Sequence, residues 1–322
     1  MRLRPRGARS TTAPTQLGDR LLFGVCALAG LVVAAVLVEI VYQLISNASP
    51  AISRFGLGFL VHQEWNPNFG RLGAATLIYG TLVSSLMALI VAGPLGISIA
   101  IYLAMLASPR VRAVVGPLVE MLAAVPSIIY GFWGLIVLVP FIHSIEPGIH
   151  GALGFIPLVG PPQTTGLSLF TSGLVLTFMI LPIIASLSRD LFLTVPRELR
   201  EGAMALGATQ WEVIRGVVLP STISGVSAAM VLALGRALGE AIALSFVIGD
   251  VSQIHASLFD PGATLAERIA NQFLGTSSTI QLASLWYAGL VLLAIGLITT
   301  LVARLIAGRF DVERSYARAV SA

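Results

Sequence analysis

Residues 72–109 read LGAATLIYGTLVSSLMALIVAGPLGISIAIYLAMLASP, without one charged side chain. A helix rises about 1.5 Å per residue and a bilayer's hydrocarbon core is about 30 Å thick, so this run is longer than one crossing needs. It is expected to span a membrane as a helix, with its ends beyond the hydrocarbon and a kink at Gly93-Pro94. The chain as a whole has the same character. Of its 322 residues 56% are apolar and 11% charged, where soluble domains carry about a quarter charged residues. Mean hydropathy is +0.92.

Five further spans read outward from this one. The first, Leu21 to Val38, continues past Glu39 to Ile45. It follows a basic tail but is too long for a signal peptide's apolar region and lacks a cleavage pattern, so it reads as a retained anchor. The third lies near Val114 to Phe141 and carries Glu120, Pro126 and Pro140. The fourth runs from Leu167 to Leu187, the fifth from Thr222 to Ile248 with Arg236 and Glu240 inside it, and the sixth from Ile280 to Ala303. The expected fold is therefore all-α, a polytopic membrane protein with six transmembrane helices. Its parts are a basic N-terminal tail (residues 1–20), a six-span domain (21–307) with a polar loop at 189–220, and a C-terminal tail (308–322).

The basic residues orient it. All 19 are arginine. Fifteen fall on one side: Arg2, Arg4, Arg6, Arg9 and Arg20, Arg110 and Arg112, Arg189, Arg197, Arg200 and Arg215, and Arg304, Arg309, Arg314 and Arg318. Arg54, Arg71 and Arg268 fall on the other side, and Arg236 falls within a span. Cytoplasmic loops hold the excess of basic residues, so both termini are expected in the cytoplasm. The net charge of +4 and pI near 9.7 are thereby explained without nucleic acid. The four histidines (His62, His143, His150, His255) fall in the outer loops, leaving none in a span as a proton relay.

The lysine count of zero excludes more. No P-loop lysine, kinase lysine, Schiff base or Ser-Lys dyad is available, so any ATP and Mg must be bound by another chain. Cys26 is the only cysteine, which rules out an internal disulfide or a cysteine-rich zinc site. No cofactor or metal is expected here. An intramembrane hydrolase lacks support too: there is no Gly-x-Ser-x-Gly motif, and Val247 stands where a Gly-x-Gly-Asp site needs glycine.

Two polar segments carry helix signals. On the outer side Glu146 to Thr165 reads as an irregular loop, whereas Thr264-Leu265-Ala266-Glu267 is a capping box followed by Ile269 and Phe273 at helical spacing. That second segment predicts a short amphipathic helix, lying on the bundle or docking a partner. Between Arg189 and Pro220, Pro196 suits the first helical position, Glu198 and Glu201 sit near its positive end, and Gly207 can end it in a left-handed conformation. Thr209-Gln210-Trp211-Glu212 opens a second helix with another capping box. Leu199, Leu206 and Trp211 would offer apolar knobs to a partner.

The pattern Glu201-Gly202-Ala203, Gly207, then Val217-Val218-Leu219-Pro220 resembles the EAA loop of ABC importer permeases, E-A-A-x3-G-x9-I-x-L-P. Gly202 and Val217 depart mildly from it. The resemblance implies that Glu201, Ala203, Gly207, Trp211, Leu219 and Pro220 belong to a coupling element seated in a cleft of a separate ATPase subunit.

Arg236 and Glu240 lie four residues apart, which on one helix face is ion-pair reach. A mid-span arginine costs about 2.5–3.5 kcal/mol on insertion scales, so it should face a bundle interior or an aqueous path. Its planar fork of donors matches oxyanions, and Gly235 and Gly239 leave room for close approach. The alternative is a purely structural ion pair locking span five. The segments Ala233 to Glu240, Phe246 to Gly249 and Val125 to Gly134 are similar to the phosphate-specific permease family, over roughly residues 20–310. That resemblance implies a type I importer permease (MetI-like) fold, with Arg236 and Glu240 in the phosphate path. It also implies a second, similar permease in a heterodimer, two ATPase subunits and an extracytoplasmic phosphate-binding protein. Two other readings remain: an ion-coupled secondary anion carrier using the same pair, and an ABC permease for a related oxyanion. Glu120, expected beside Arg110 or Arg112, and Glu39 receive no transport role.

Overall fold

The computed structural model describes residues 16–276 and 278–307. Among the described residues six helices are long and apolar enough to cross a membrane: Gly18–Leu60, Ala75–Leu106, Ser127–Leu153, Leu169–Thr194, Gln210–Leu238 and Thr279–Leu305. In chain order the helical segments are α1 (Gln16–Phe55), α2 (Ala75–Ile101), α3 (Pro109–Ala123), α4 (Ser127–Trp133), α5 (Val139–Leu153), α6 (Leu169–Thr194), α7 (Arg197–Ala205), α8 (Gln210–Val213), α9 (Leu219–Leu238), α10 (Ile242–Val247), α11 (Leu265–Gln272) and α12 (Thr279–Ala307). A two-residue hairpin, β1 (Trp65–Asn66) with β2 (Arg71–Leu72), lies between α1 and α2. Helix α1 starts at Gln16, so residues 16–20 of the expected tail are already helical. Residues 1–15 and the expected C-terminal tail lie outside the described residues.

The bundle is organised on α2 and α6, which pack along their length because small residues let their backbones approach. A Cβ on Gly96 would stand 2.9 Å from Ile184 Cγ2, and one on Gly173 would stand 2.7 Å from Met87 Cε. Buried hydroxyls on both helices return their protons to the preceding turn: Ser84 Oγ donates to Gly80 O at 2.7 Å, and Thr177 Oγ1 to Gly173 O at 2.8 Å. This is how polar side chains are satisfied without water. Helix α2 runs through Gly93-Pro94 uninterrupted, packed on α6 and α9. Helix α1 sits at the edge of the bundle against α12, and the most apolar part of its length is wholly uncovered by the chain.

The third span differs from the sequence expectation of Val114 to Phe141. The chain breaks at Ala124–Pro126, where Pro126 adopts φ −58° and ψ 140°. That extended backbone at Pro126 ends the helical path, and a proline also disfavours the helical region for the residue before it. Helix α3 therefore lies outside the span, which begins at Ser127. It then runs through a widened, π-helical turn (Gly134–Leu138) to Leu153. Glu146 to Leu153 is consequently helix and not loop, and His143 and His150 sit on α5 rather than in an outer loop. Glu120 also finds a different partner. Arg189 of α6 donates to it at 2.8 Å, while Arg112 caps the carbonyls of Leu103 and Ala104 at 2.8 Å each.

Helix α11 is more deeply placed than an amphipathic surface helix. Its Thr264/Glu267 capping box forms as expected, but Leu265, Ala266, Glu267 and Arg268 are all buried. Leu265 N donates to Thr81 Oγ1 of α2 at 2.9 Å, and Trp65 Nε1 of the hairpin donates to Gln272 Oε1 at 2.9 Å. The helix is a wedge that joins α2, α10, α12 and the hairpin on the side of the bundle opposite α7.

Candidate functional site

Span five ends early, and that shapes the charged site. Helix α9 stops at Leu238, Gly239 and Glu240 turn the chain, and α10 restarts at Ile242. Glu240 is thus beyond the helix that carries Arg236, and no ion pair joins the two, contrary to the expectation from their spacing. The glutamate has other work. Its side chain is 7% exposed, and Oε1 accepts from Ala243 N at 3.0 Å, capping the first turn of α10. Acceptors at that position satisfy amide groups that the helix leaves unpaired.

The segment Val125 to Gly134 explains itself against α10. A Cβ on Gly131 would meet Ala243 Cα at 2.7 Å and Phe246 Cδ2 at 2.8 Å, and one on Gly134 would meet Val247 Cγ1 at 3.0 Å. These glycines let α4 lie directly on α10. Phe132 and Phe246 pack edge to face across the same contact.

Arg236 and Glu240 both line a cavity of about 860 Å³, floored by α9 and bounded by Ile183 of α6 and by Thr300 and Arg304 of α12. Gly235 faces open space, with nothing within 4 Å of where a Cβ would stand, so this flank of α9 is left uncovered by the chain. Arg304 is a participant that the sequence reading used only to set orientation. Its signal was its position: it is the first charge after the sixth apolar run, one helical turn beyond Thr300. Two guanidinium groups against one carboxylate give the cavity a net positive charge, which attracts anions. Its volume far exceeds the roughly 30 Å³ of one water molecule, so a hydrated oxyanion fits.

The second element of interest is the loop at the far end. Helix α7 starts at Arg197, one residue later than the expected Pro196 start, and Gly207 closes it at φ +93°. The Thr209 box is complete, with Thr209 N donating to Glu212 Oε2 at 2.7 Å and Glu212 N donating to Thr209 Oγ1 at 3.3 Å. From Gln210 the helix passes through a π-helical turn, Ile214–Val218, straight into α9. Leu219 and Pro220 thus begin α9. The wide turn accommodates Pro220, which lacks an N–H. Val213, Ile214 and Val218 anchor the segment in the bundle, while Leu206 is 92% and Trp211 61% exposed. Glu201 and Gly202 are exposed and Ala203 is half-buried. The site therefore has two separate parts. Arg236 and Glu240 share the cavity, the loop residues lie at the far end, and α8–α9 is the continuous rod between them.

A six-span bundle with a charged cavity on one flank, and a continuous helix running from it to exposed apolar side chains, is the architecture of a transport permease. The comparisons with known proteins agree. Over residues 94–312 the sequence matches the model for the binding-protein-dependent transport system inner membrane component, and the chain belongs to that family. It is 42% identical over 301 residues to a phosphate transport system permease protein PstC of Mesorhizobium japonicum, covering 92% of this chain and 91% of that one. To the PstC of Pasteurella multocida it is 43% identical over 287 residues, covering 87% and 88%. Among solved structures, a bacterial alginate ABC transporter in complex with its pentasaccharide-bound periplasmic protein has a chain with a TM-score of 0.60 at 15% identity, covering 92% of this chain and 99% of that one. That likeness supports the type I importer permease fold.

Proposed function

We propose that this chain is a permease subunit of an ATP-driven importer of inorganic phosphate, with both termini in the cytoplasm. The observation that carries the reading is the cavity that sets Arg236 and Arg304 against the single carboxylate of Glu240. Relatives of nearly full length named as phosphate permeases support it. An arginine on an uncovered flank of a spanning helix is costly in lipid. A second, similar permease facing α9 removes that cost and closes the cavity into a path. Phosphate entering this path meets the Arg236 fork, while Glu240 remains engaged in capping α10 and balances part of the charge when the path is empty.

Energy enters elsewhere. Two ATPase subunits, holding ATP and Mg in sites that a chain without lysine does not build, receive the α7–α8 loop in a cleft, with Leu206 and Trp211 as its apolar contacts. Movement of that loop is carried along the α8–α9 rod to Arg236, and an extracytoplasmic binding protein delivers phosphate on the side of α11 and the hairpin. Replacing Arg236 with Gln removes a charge-assisted hydrogen-bond donor worth about 1.5–3 kcal/mol, so uptake should fall roughly ten- to a hundredfold. Complex assembly should be unchanged. Normal uptake by the variant would remove Arg236 from the path. Arsenate competition in the same assay separates a strict phosphate path from a general oxyanion path.

A further inference from the structure

A second cavity, of about 250 Å³, lies between the end of the second span and the α7–α8 loop. Its polar walls come from Arg197, Arg200 and Glu201 of α7 and Gln210 of α8. Its apolar side includes Met105, in the π-helical turn that closes the second span. The α7 residues that line it, through Met204, recur at spacings of three and four, so a single face of the helix is turned to it. Leu199 and Leu206, both exposed, fall on the opposite face, and Leu206 is a proposed ATPase contact. The cavity thus faces the bundle, away from that contact.

Donors outnumber acceptors there. A guanidinium carries a fork of N–H donors and accepts nothing. Arg200 Nη1 donates to Met105 Sδ at 3.2 Å, a weak acceptor, and Arg200 Nε is buried without a partner. Among the described residues no carboxylate pairs with Arg197 or Arg200, Glu201 included. A buried unpaired donor on a charged group is costly, and like charges one turn apart on a helix repel. An anion seated between the two forks relieves both.

Phosphate meets this demand better than a carboxylate does. Its charge of about −1.5 to −2 at neutral pH matches two guanidinium groups, and its oxygens can engage both forks at once. The cavity is several times the roughly 30 Å³ of one water molecule, which leaves room for the anion. Gln210 adds an amide donor from the other side of the Gly207 turn.

We propose that this cavity is a second phosphate-group site, in which Arg197 and Arg200 of α7 and Gln210 of α8 hold one phosphate group. Its source is inorganic phosphate or the headgroup of an anionic phospholipid, and the charge match favours the free ion. An anion held by both helices spans the Gly207 turn and fixes the angle between them. On the reading of this chain as a phosphate importer, delivered phosphate then restrains the coupling loop on the receiving side. Binding stands on the cavity alone, whereas the restraint rests on the proposed function.

The test uses the permease pair with its ATPase subunits in maltoside detergent, which brings no phosphate of its own. Arg236→Gln is present in every binding sample, to silence the proposed path. Labelled inorganic phosphate should bind, and Arg200→Gln and Arg200→Lys should each weaken binding at least about tenfold, because lysine keeps the charge but loses the fork. Phospholipid that co-purifies, excludes the ion and is lost in the same variants would make the headgroup the source. Neither ligand on the parent complex, or equal binding by parent and variants, overturns the proposal. So does loss of ATPase capture in Arg200→Gln with no phosphate group bound to the parent, which would make the cavity the seat of a partner's acidic side chain. Should Arg200→Gln fail to assemble, Arg197→Gln, at an exposed position, decides in the same way. In proteoliposomes that retain Arg236, raising phosphate on the ATPase side should slow uptake, and Arg200→Gln should remove the slowing. Equal slowing in both overturns the restraint. Phosphate bound at this cavity while Arg236→Gln transports normally would sink the path and leave the second site standing.

Discussion

Glu240 holds its place through one hydrogen bond from Ala243 N, and that bond starts α10 at the point where α9 has stopped. Glu240→Ala should therefore destabilise the complex by about 0.5–2 kcal/mol, the ordinary cost of losing a cap. Thermal unfolding measures this, and an unchanged midpoint would show the cap to be idle. Glu267 gives a prediction with a sign. Its folded-state value is raised from 4.5 to about 7, so the folded protein binds the proton more tightly than the unfolded chain. The stability it contributes is complete below 4.5, declines as pH rises, and is gone once pH passes about 7. Asp250, also raised by burial, acts in the same direction. The unfolding midpoint should accordingly fall over this window in the wild type and fall less in Glu267→Gln; equal slopes would contradict the assignment. At this scale the sequence was a partial guide. Arg236 and Glu240 could be picked out because charges in an apolar run are expensive wherever they end up. Their lack of an ion pair was invisible, because the turn between them depends on α4 docking through Gly131 against α10, a contact between residues more than a hundred positions apart.

Helices whose signals are local were legible, and those whose limits depend on packing were not. Both capping boxes, at Thr209 and Thr264, form as their four-residue patterns dictate. Gly207 adopts its left-handed conformation. The third span shows the opposite case: composition ran the apolar stretch across Pro126, and the extended backbone of that proline cuts α3 from the span. Depth was illegible as well, since α11 has an amphipathic pattern yet its first half, Leu265 to Arg268, is buried, charged side chains included. Two predictions belong to the α7–α8 loop. Trp211 is exposed, so Trp211→Glu should leave the bundle's stability within about 0.5 kcal/mol of wild type and reduce capture of the ATPase in a pull-down. Gly207→Val forces a β-branched residue to positive φ at a cost of about 1–2 kcal/mol, and should uncouple transport from ATP hydrolysis. If both variants capture ATPase and transport normally, the coupling element lies elsewhere.

Across the whole molecule the arginines divide the work. Arg189 and Arg112 tie α3 to its neighbours, and Arg268 is locked into the α11 wedge. Arg236 and Arg304 both line the cavity. The helix from α8 through α9 joins that cavity to the exposed loop. The proposed function has this chain conduct while a partner supplies the driving force. Phosphate uptake into proteoliposomes tests this directly, comparing this chain with its partner permease alone against the same pair with ATPase subunits and binding protein. Labelled phosphate should accumulate only in the complete complex, only with ATP on the ATPase side, and not under a proton or sodium gradient without ATP. Accumulation by the permeases alone under an ion gradient would contradict the account and make the chain a secondary carrier.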